Sequence, residues 1–187
     1  GEYRWNSIVE SSDENPVQVV CLYEDRDQNI WMGTFGQGLW KYDRKLKRVV
    51  TFTKKDGLPN ENILDIVQDE KGTLWLATLG GGVISMREEE GQFVYTKLAD
   101  KKGVASTGNY IYDLHLDNNQ LLYYATDGNG IGVFDCRQMY HKPLDIEGIN
   151  QKTIYSITSD SSNNLWFSVA DEGLKRLKDG KITDYNL

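Results

Sequence analysis

The sequence is poor in the residues that build disulfide-stapled, metal-bound or membrane-spanning folds. It contains two cysteines, two histidines and three prolines in 187 residues. Cys21 and Cys136 give neither a disulfide framework nor a Cys/His ligand cluster, so no metal site and no cofactor is expected. No apolar run approaches the roughly 20 residues that cross a bilayer, and GEYRWNSIVE, the first ten residues, lacks the features of a signal peptide. We expect a soluble segment that meets a membrane only through parts of a longer protein.

Basic residues are fewer than acidic residues. The chain carries 21 Lys and Arg against 28 Asp and Glu, which gives a net charge of −7. The cations are scattered rather than gathered into a stripe, so the chain has no electrostatic footprint for nucleic acid. A hydrophobic fraction of 39% with 26% charged residues is typical of a globular domain.

What the chain does have is a pattern of large ring, small residue and glycine that returns four times. The four copies are NIWMGTFGQGLWKYD (29–43), TLWLATLGGGVISM (73–86), LLYYATDGNGIGVFD (121–135) and NLWFSVADEGLKRL (164–177). The ring is Trp31, Trp75, Tyr123 and then Trp166, at separations of 44, 48 and 43 residues. Strand-like segments repeated with a period in the forties predict the blades of a β-propeller.

The spacing inside each copy is fixed. An aspartate stands six residues before the ring, at Asp25, Asp69, Asp117 and Asp160. A glycine stands seven residues after it, at Gly38, Gly82, Gly130 and Gly173. A β-branched residue stands three after the ring, at Thr34, Thr78, Thr126 and Val169. Asp and Gly suit hairpin turns and β-branched residues suit strands, so these positions indicate scaffold.

An apolar strand precedes each aspartate, and each copy therefore predicts a four-stranded antiparallel meander, whose strands we call A to D in chain order. One face of strand A is expected to be apolar throughout, with Val20 and Leu22, Leu64 and Ile66, Tyr112 and Leu114, and Tyr155 and Ile157. The fold class is all-β, with four propeller blades forming a partial propeller. The predicted boundaries are 1–16 for an orphan outer strand and linker, then 17–59, 60–107, 108–150 and 151–187 for blades 1 to 4.

The composite pattern resembles the two-component regulator propeller repeat. The linker KDGLPNENI (55–63) strengthens the resemblance, because that family begins a new repeat through a Gly-Leu-Pro-Asn segment such as Gly57 to Asn60. The resemblance covers four tandem repeats and nearly the whole chain. The third copy departs from the pattern at Tyr123, and the fourth departs at Val169 and keeps one glycine of its turn.

The resemblance implies a non-enzymatic sensor module. Such repeats form the periplasmic, extracytoplasmic sensor of hybrid two-component histidine kinases that detect glycans, and the kinase would lie outside this segment. An oligosaccharide is then the expected ligand. An open arc of blades would leave apolar faces exposed at both ends, so we also expect self-association, as a homodimer.

Positions that the repeat leaves free are the candidates for ligand contact. They lie in the loops between strands B and C and between strand D and the next strand A, which share one face of a propeller. They are Phe35, Gln37, Asn60, Asn62, Asn109, Tyr110, Asp127, Asn129, Asp171 and Glu172.

Two other function classes remain open. One is a structural or protein-binding propeller without a ligand of its own. The other is a glycosidase or lyase, for which Asp65 and Asp113 hold equivalent positions on neighbouring inner strands and could face one another across a sugar. The alternative role for this pair is to accept hydrogen bonds from the backbone of the inner strands, and we assign no catalytic residue. His115 and His141 have no acid or nucleophile at a recognisable spacing.

Overall fold

The computed structural model describes residues 16–99 and 108–185. The expected outer strand at residues 1–9 lies outside these ranges. The described residues form four separate four-stranded sheets, each antiparallel and each ordered along the chain. The predicted all-β class and four four-stranded blades are confirmed.

The sixteen strands follow one another with short connections. Blade 1 contains β1 (Val19–Glu24), β2 (Ile30–Thr34), β3 (Leu39–Asp43) and β4 (Arg48–Phe52). Blade 2 contains β5 (Ile63–Gln68), β6 (Leu74–Thr78), β7 (Gly82–Glu89) and β8 (Gln92–Lys97). Blade 3 contains β9 (Ile111–Leu116), β10 (Leu121–Thr126), β11 (Ile131–Asp135) and β12 (Tyr140–Lys142). Blade 4 contains β13 (Ile154–Ser159), β14 (Leu165–Val169), β15 (Gly173–Lys178) and β16 (Lys181–Tyr185).

The four blades pack side by side through their first strands. β1 packs against β5, β5 against β9 and β9 against β13, while the described strands show no comparable contact between β13 and β1. The described blades therefore form an arc.

Three hydrophobic clusters fill the three interfaces of this arc. In the first, Trp31, Leu39 and Phe52 of blade 1 pack against Ile63 and Ile66 of blade 2. The Trp31 and Phe52 rings are stacked with centroids 5.6 Å apart. The second and third clusters join blades 2 to 3 and 3 to 4 in the same way. Burial of apolar surface between flat sheets, at about 25 cal/mol per Å², is what holds neighbouring blades together.

The repeated aspartate closes the turn between the first two strands of each blade. Its Oδ1 atom accepts the backbone N–H of the residue four positions on, at 2.8–3.0 Å in all four blades. Gln28, Gln120 and Asn163 in these turns have positive φ. The carboxylate therefore satisfies a donor that a turn of this geometry leaves without a backbone partner.

The repeated threonine and glycine form a second fixed unit. The hydroxyl of Thr34 donates to the carbonyl of Gly38 at 2.6 Å and accepts the N–H of Gln37 at 3.1 Å. Thr78 and Thr126 make the same pair of bonds in blades 2 and 3. Gly38 has φ of 78°, and a Cβ there would lie 2.2 Å from the carbonyl oxygen of Phe52. Glycine is required by both conformation and space.

The linker between blades 1 and 2 folds into a single 3-10 turn at Lys54–Asp56. Thr53 and Asp56 form a capping box, and Gly57 ends the turn in the left-handed region. Leu58 is buried in the first hydrophobic cluster. The Gly-Leu pair of the linker thus stops the turn and anchors the chain between two blades.

Candidate functional site

One rim of the arc is built from the B–C turns and the starts of the blades. The N–H groups of Gly36 and Gly38 both donate to the carbonyl of Glu61, at 3.1 and 3.0 Å. Gly80 and Gly82 donate in the same way to Asn109. Both kinds of loop, which the sequence analysis had placed on one face, meet here through their backbones.

A β-bulge occurs in the first strand of every blade, just below this rim. The pairing with the second strand skips one residue in each blade. The skipped residues are Val20, Leu64, Tyr112 and Tyr155. A bulge redirects the side chain of the extra residue and is common beside functional sites.

In blades 3 and 4 the bulged residues are aromatic and touch each other. The Tyr112 and Tyr155 rings have centroids 5.3 Å apart and planes at 57°. Tyr155 is 55% exposed, and the neighbouring Tyr110 is 50% exposed. We call Tyr110, Tyr112 and Tyr155 the tyrosine cluster; it offers open aromatic surface on neighbouring blades.

Acidic and hydroxyl groups flank the tyrosine cluster. The N–H of Asp127 donates to the carbonyl of Tyr110 at 3.1 Å, and Asp127 Oδ1 accepts the hydroxyl of Thr153 at 2.8 Å. Partial burial, then the negative charges of Asp127 and the neighbouring tyrosines, raise the pKa of Tyr112. The Tyr112 phenol therefore remains protonated at neutral pH and can both donate and accept hydrogen bonds.

The structure brings four of the predicted ligand residues together at the start of blade 3. Tyr110 and Asp127 share the backbone bond described above, and the Asn129 amide donates to the carbonyl of Asp127 at 2.9 Å. Asn109 Oδ1 accepts Lys97 Nζ at 2.9 Å. Asn109, Asp127 and Asn129 are exposed, so part of their hydrogen-bonding capacity faces solvent.

The other predicted residues lie elsewhere on the same rim. Phe35 is 47% exposed and forms an isolated bridge with Asn62. Asn60 is partly committed to the scaffold, because its amide donates to the carbonyl of Leu79 and its oxygen accepts the N–H of Asn62. The Gln37 amide lies 3.4 Å from the carbonyl of Pro16, at the limit of a hydrogen bond.

In blade 4, Asp171 is an exposed turn residue with φ of 60°. Glu172 forms ion pairs with Lys152 and, at 3.2 Å, with Lys175. These two cations hold the pKa of the Glu172 carboxyl below its usual value. Glu172 is therefore engaged with its own blade and lies apart from the tyrosine cluster in sequence and in its contacts.

Sequence reasoning missed Tyr112 and Tyr155, which it assigned to the apolar face of an inner strand. The signal was present: the same repeat position holds Val20 and Leu64 in blades 1 and 2. A change from an aliphatic residue to tyrosine in two consecutive blades adds a polar hydroxyl at a position that is otherwise purely apolar, which indicates a role besides core packing. The bulge that exposes these rings is set by strand pairing and is not visible in the residue pattern.

The two carboxylates considered for catalysis join neighbouring blades. Asp65 Oδ2 accepts the N–H of Leu114 at 2.9 Å. Asp113 Oδ2 accepts the N–H of Ile157 and the hydroxyl of Ser156, both at 2.7 Å. Leu114 and Ile157 lie on edge strands of their sheets, and each aspartate supplies a partner that an edge strand lacks. The geometry favours the backbone-bonding role over glycoside hydrolysis.

His115 has one partner that the sequence did not reveal. Its Nε2 atom lies 2.8 Å from the hydroxyl of Ser159 on the neighbouring blade. Burial lowers the pKa of His115, which favours the neutral ring. The nearby Asp117 carboxylate is committed to the N–H groups of Asn119 and Leu121, so it does not orient the imidazole as a catalytic triad requires. The pair is an interblade hydrogen bond.

The described residues hold neither a candidate metal site nor a candidate membrane-spanning helix. Residues 16–99 and 108–185 contain no group of three or more His, Cys, Asp or Glu side chains arranged to hold a metal ion. They contain no helix that is long and apolar enough to cross a membrane.

Comparison with known families confirms the resemblance in two of the repeats. The family described as two component regulator propeller matches residues 13–36 and 57–80. Each match runs from the segment before the first strand of a repeat through its Asp, Trp and Thr positions, which are among the positions that carried the resemblance. These two segments are two-component regulator propeller repeats.

The chain is similar in sequence to a histidine kinase and in structure to a sensor domain and a bacterial surface component. Histidine kinase P4 of Formosa agariphila is 24% identical over 97% of this chain. The extracellular domain of a protein described as a putative hybrid two component system, from B. thetaiotaomicron, superposes with a TM-score of 0.72 at 21% identity over 90% of the chain. PorZ, a component of the type-IX secretion system of Porphyromonas gingivalis, gives a TM-score of 0.71 at 19% identity over the whole chain.

The chain spans only a part of each of these proteins. It covers 13% of the Formosa kinase, 25% of the B. thetaiotaomicron chain and 30% of PorZ. The structural likeness establishes the propeller fold for the chain.

Proposed function

We propose that this chain is a non-enzymatic, ligand-binding segment of an extracytoplasmic sensor propeller in a two-component histidine kinase, and that its ligand is a glycan. The family match and the kinase relative support the sensor role, and the extracellular domain among the structural relatives supports the location. The kinase itself would lie in another part of the protein. The B–C rim of blades 3 and 4 is the proposed contact surface.

The observation that carries the glycan assignment is the pair of bulged tyrosines, of which Tyr155 is exposed and Tyr112 is half-buried. Aromatic rings offer a flat apolar face with a polar edge, which complements a pyranose ring that has C–H groups on its faces and hydroxyls around its edge. Tyr112 and Tyr155 supply such faces at 5.3 Å centroid separation. Asp127, Asn129 and Asn109 surround them with acceptors and donors that match sugar hydroxyls.

Binding of a neutral oligosaccharide panel tests this proposal. Heteronuclear NMR on the 187-residue chain should show shifts for the amides of Tyr110, Tyr112 and Tyr155 with at least one oligosaccharide. Tyr155→Ala should weaken that binding about three- to ten-fold, or about 0.7–1.4 kcal/mol, because one stacking face is lost.

Tyr185→Ala is the matched control, since Tyr185 is an exposed tyrosine on the outermost strand of blade 4 that packs against Trp166, outside the tyrosine cluster. Its oligosaccharide affinity should equal that of the wild type. Shifts confined to other surfaces, or equal losses for both variants, would remove the tyrosine cluster as the binding site.

We further propose that the segment self-associates through the exposed faces at the ends of the arc. Leu22 on β1 is 69% exposed, whereas its repeat equivalents Ile66, Leu114 and Ile157 are 2–4% exposed because a preceding blade covers them. Val20 on the same strand is 48% exposed. This face has the composition of a blade interface without a blade against it, and a homodimer would cover it.

Light scattering decides whether the face is used. The wild type should show a dimer whose population falls on dilution, and Leu22→Glu should shift it to monomer. Leu46→Glu is the control, because Leu46 is 59% exposed but lies in a turn at the other side of blade 1. A strictly monomeric, well-folded wild type would count against self-association without bearing on glycan binding.

A further inference from the structure

A cavity lies in the groove between blades 2 and 3, away from the tyrosine cluster. It has a volume of about 200 Å³. Trp75, Leu98, Cys136 and Met139 supply its apolar walls. Lys71 comes from the A–B turn of blade 2, Arg87 from β7 and Lys97 from β8, and these three cations also line it.

The cationic lining is unusual for this protein. Three cations share one small cavity in a chain whose net charge is −7. Lys71 Nζ donates to the carbonyl of Cys136 at 3.1 Å, and Lys97 Nζ donates to the amide oxygen of Asn109 at 2.9 Å. Both partners are neutral, so neither ammonium charge is compensated by these bonds. Arg87 pairs with Glu89 at 2.7 Å, which lies outside the described lining.

The acid among the described lining residues, Asp69, is held by the turn and is outnumbered by the three cations. Asp69 is 2% exposed, and its Oδ1 accepts the backbone N–H groups of Lys71 and Thr73, both at 2.9 Å. Its Oδ2 accepts the indole N–H of Trp75 at 3.1 Å. The carboxylate is thus committed to the turn. Arg87 has Glu89 as its acidic partner, whereas the ammonium groups of Lys71 and Lys97 donate to neutral oxygens.

The cations also depart from the repeat. The position of Lys71 holds Asp27, Asn119 and Ser162 in the other blades, and the position of Arg87 holds Asp43, Asp135 and Lys178. Asp43 and Asp135 accept backbone N–H groups of the C–D turns that follow them. Blade 2 has a longer hairpin, with β7 ending at Glu89 and β8 starting at Gln92, so this cap is not needed. Because the turn of blade 2 does not need this carboxylate, aspartate can be absent at the position of Arg87. This does not explain why the replacement is a cation that joins Lys71 in the cavity lining.

We propose that this groove binds a small carboxylate-bearing sugar of the hexuronic acid class. A carboxylate is the ligand that converging Lys and Arg side chains favour, and such charge-assisted hydrogen bonds are roughly twice as strong as neutral ones. A volume of about 200 Å³ accepts a single sugar-sized ring. Met139, which is only partly buried, provides an apolar contact for the sugar, and the buried Trp75 and Leu98 form the floor behind it. The site shares no tyrosine-cluster residue and does not depend on the rim.

Galacturonate and galactose form the matched ligand pair, because they differ only in the carboxylate at C6. Titration of the 187-residue chain followed by NMR should shift the amides of Lys71, Leu98 and Cys136 with galacturonate. Galactose should bind at least about ten-fold more weakly. Galacturonate affinity should also fall as salt is raised, since the charges are partly exposed to solvent.

Three variants and one further ligand complete the test. Arg87→Gln and Lys97→Gln should each weaken galacturonate binding about five-fold or more, while Lys45→Gln, which removes an exposed cation of blade 1 outside the cavity, should not. The proposal is overturned if galactose binds as well as galacturonate, if the two cavity variants bind like the wild type, or if inorganic sulfate gives the same shifts and affinity. Loss of rim binding in Tyr155→Ala would leave this result unchanged.

Discussion

The carboxylate of Asp25 accepts the indole N–H of Trp31, six residues further along the chain, at 2.8 Å. Asp69 with Trp75 and Asp160 with Trp166 make the same bond, at 3.1 and 2.9 Å. The fixed spacing of the repeat is therefore one hydrogen-bonded unit: one carboxylate oxygen closes the A–B turn, and the other holds the ring that packs between blades. In blade 3, Tyr123 offers no indole donor to Asp117.

Trp31→Phe should remove the indole donor while keeping an aromatic ring. Burial alone would raise the pKa of Asp25, but the hydrogen bonds from Asn29 and Trp31 outweigh it and leave the pKa below its usual value. Loss of one donor to a buried carboxylate should lower the free energy of unfolding by about 1–3 kcal/mol, measured by urea denaturation. Trp40→Phe is the control, because the Trp40 indole bonds a neutral carbonyl and is half-buried. Equal losses would show that ring size, not the bond, matters.

Thr78→Val should destabilise blade 2 although valine fits a strand as well as threonine does. The hydroxyl both donates to Gly82 and accepts from Gly81, so valine leaves two backbone groups without their partner at a buried site. We expect a loss of about 1–2 kcal/mol in thermal or urea unfolding. Val169→Thr in blade 4 is the reciprocal variant and should be neutral or stabilising. A neutral Thr78→Val would mean that the turn closes without the hydroxyl.

The Asp65 carboxyl should make stability depend on pH. Burial, followed by a hydrogen bond to Asp113, raises the pKa of Asp65 from 3.8 to about 7. The folded state therefore binds this proton more tightly than the unfolded chain. The Asp65 contribution to stability is fully present below about pH 4 and is lost as pH rises to about 7. His115, whose pKa is lowered by burial, changes stability in the opposite direction, so the wild type alone does not isolate the effect.

Asp65→Asn isolates the Asp65 contribution, because the amide stays uncharged and its oxygen can still accept the N–H of Leu114. The stability of the wild type relative to this variant should fall by roughly 1 kcal/mol or more between pH 5 and pH 8 in urea denaturation. Asp27→Asn, an exposed turn residue, should give no such difference. Parallel pH profiles for the wild type and Asp65→Asn would contradict the assignment.

Leu22 and Ile66 hold the same repeat position but should respond differently to truncation. Ile66 is 2% exposed inside an interface, so Ile66→Ala should cost about 2–5 kcal/mol. Leu22 is 69% exposed, and Leu22→Ala in dilute monomer should change the free energy of unfolding by less than about 0.5 kcal/mol. Denaturation at two protein concentrations makes the comparison. A large cost for Leu22→Ala at both concentrations would show that the monomer already covers this face.

The fold was predictable because the same residue pattern occurs four times in the sequence. Ring, aspartate and glycine recur in fixed register, and each copy alone would have been ambiguous. Turn chemistry and alternation placed the strands, and the aspartate and threonine were assigned to scaffold. The side-chain hydrogen bonds of these residues were not predicted. The β-branched shape of Thr34 indicates a strand but not its bond to Gly38, and the pattern does not reveal that the Trp31 indole donates to Asp25.

The candidate sites were predictable only where a loop residue lies close to its partners along the chain. Tyr110 and Asp127 were selected, but the exposure of Tyr155 depends on a bulge that one-dimensional alternation does not show. The groove joins Lys71 to Cys136, whose hydrogen bond spans 65 residues. Such a contact depends on how two blades pack against each other, and no motif within a single repeat encodes it.

Glu61, Asn109 and Lys152 differ in charge, yet the carbonyl of each accepts N–H groups from the B–C turn of the preceding blade. These bonds are made by backbone atoms, so they do not depend on which side chain stands at this position. An acid, an amide and a base at this position all leave the backbone hydrogen bond between the blades in place. Substitutions at this position of the rim can therefore change its charge and hydrogen-bonding groups while the spacing of the blades stays constant. A change of ligand preference in such an array need not be preceded by a stabilising substitution elsewhere.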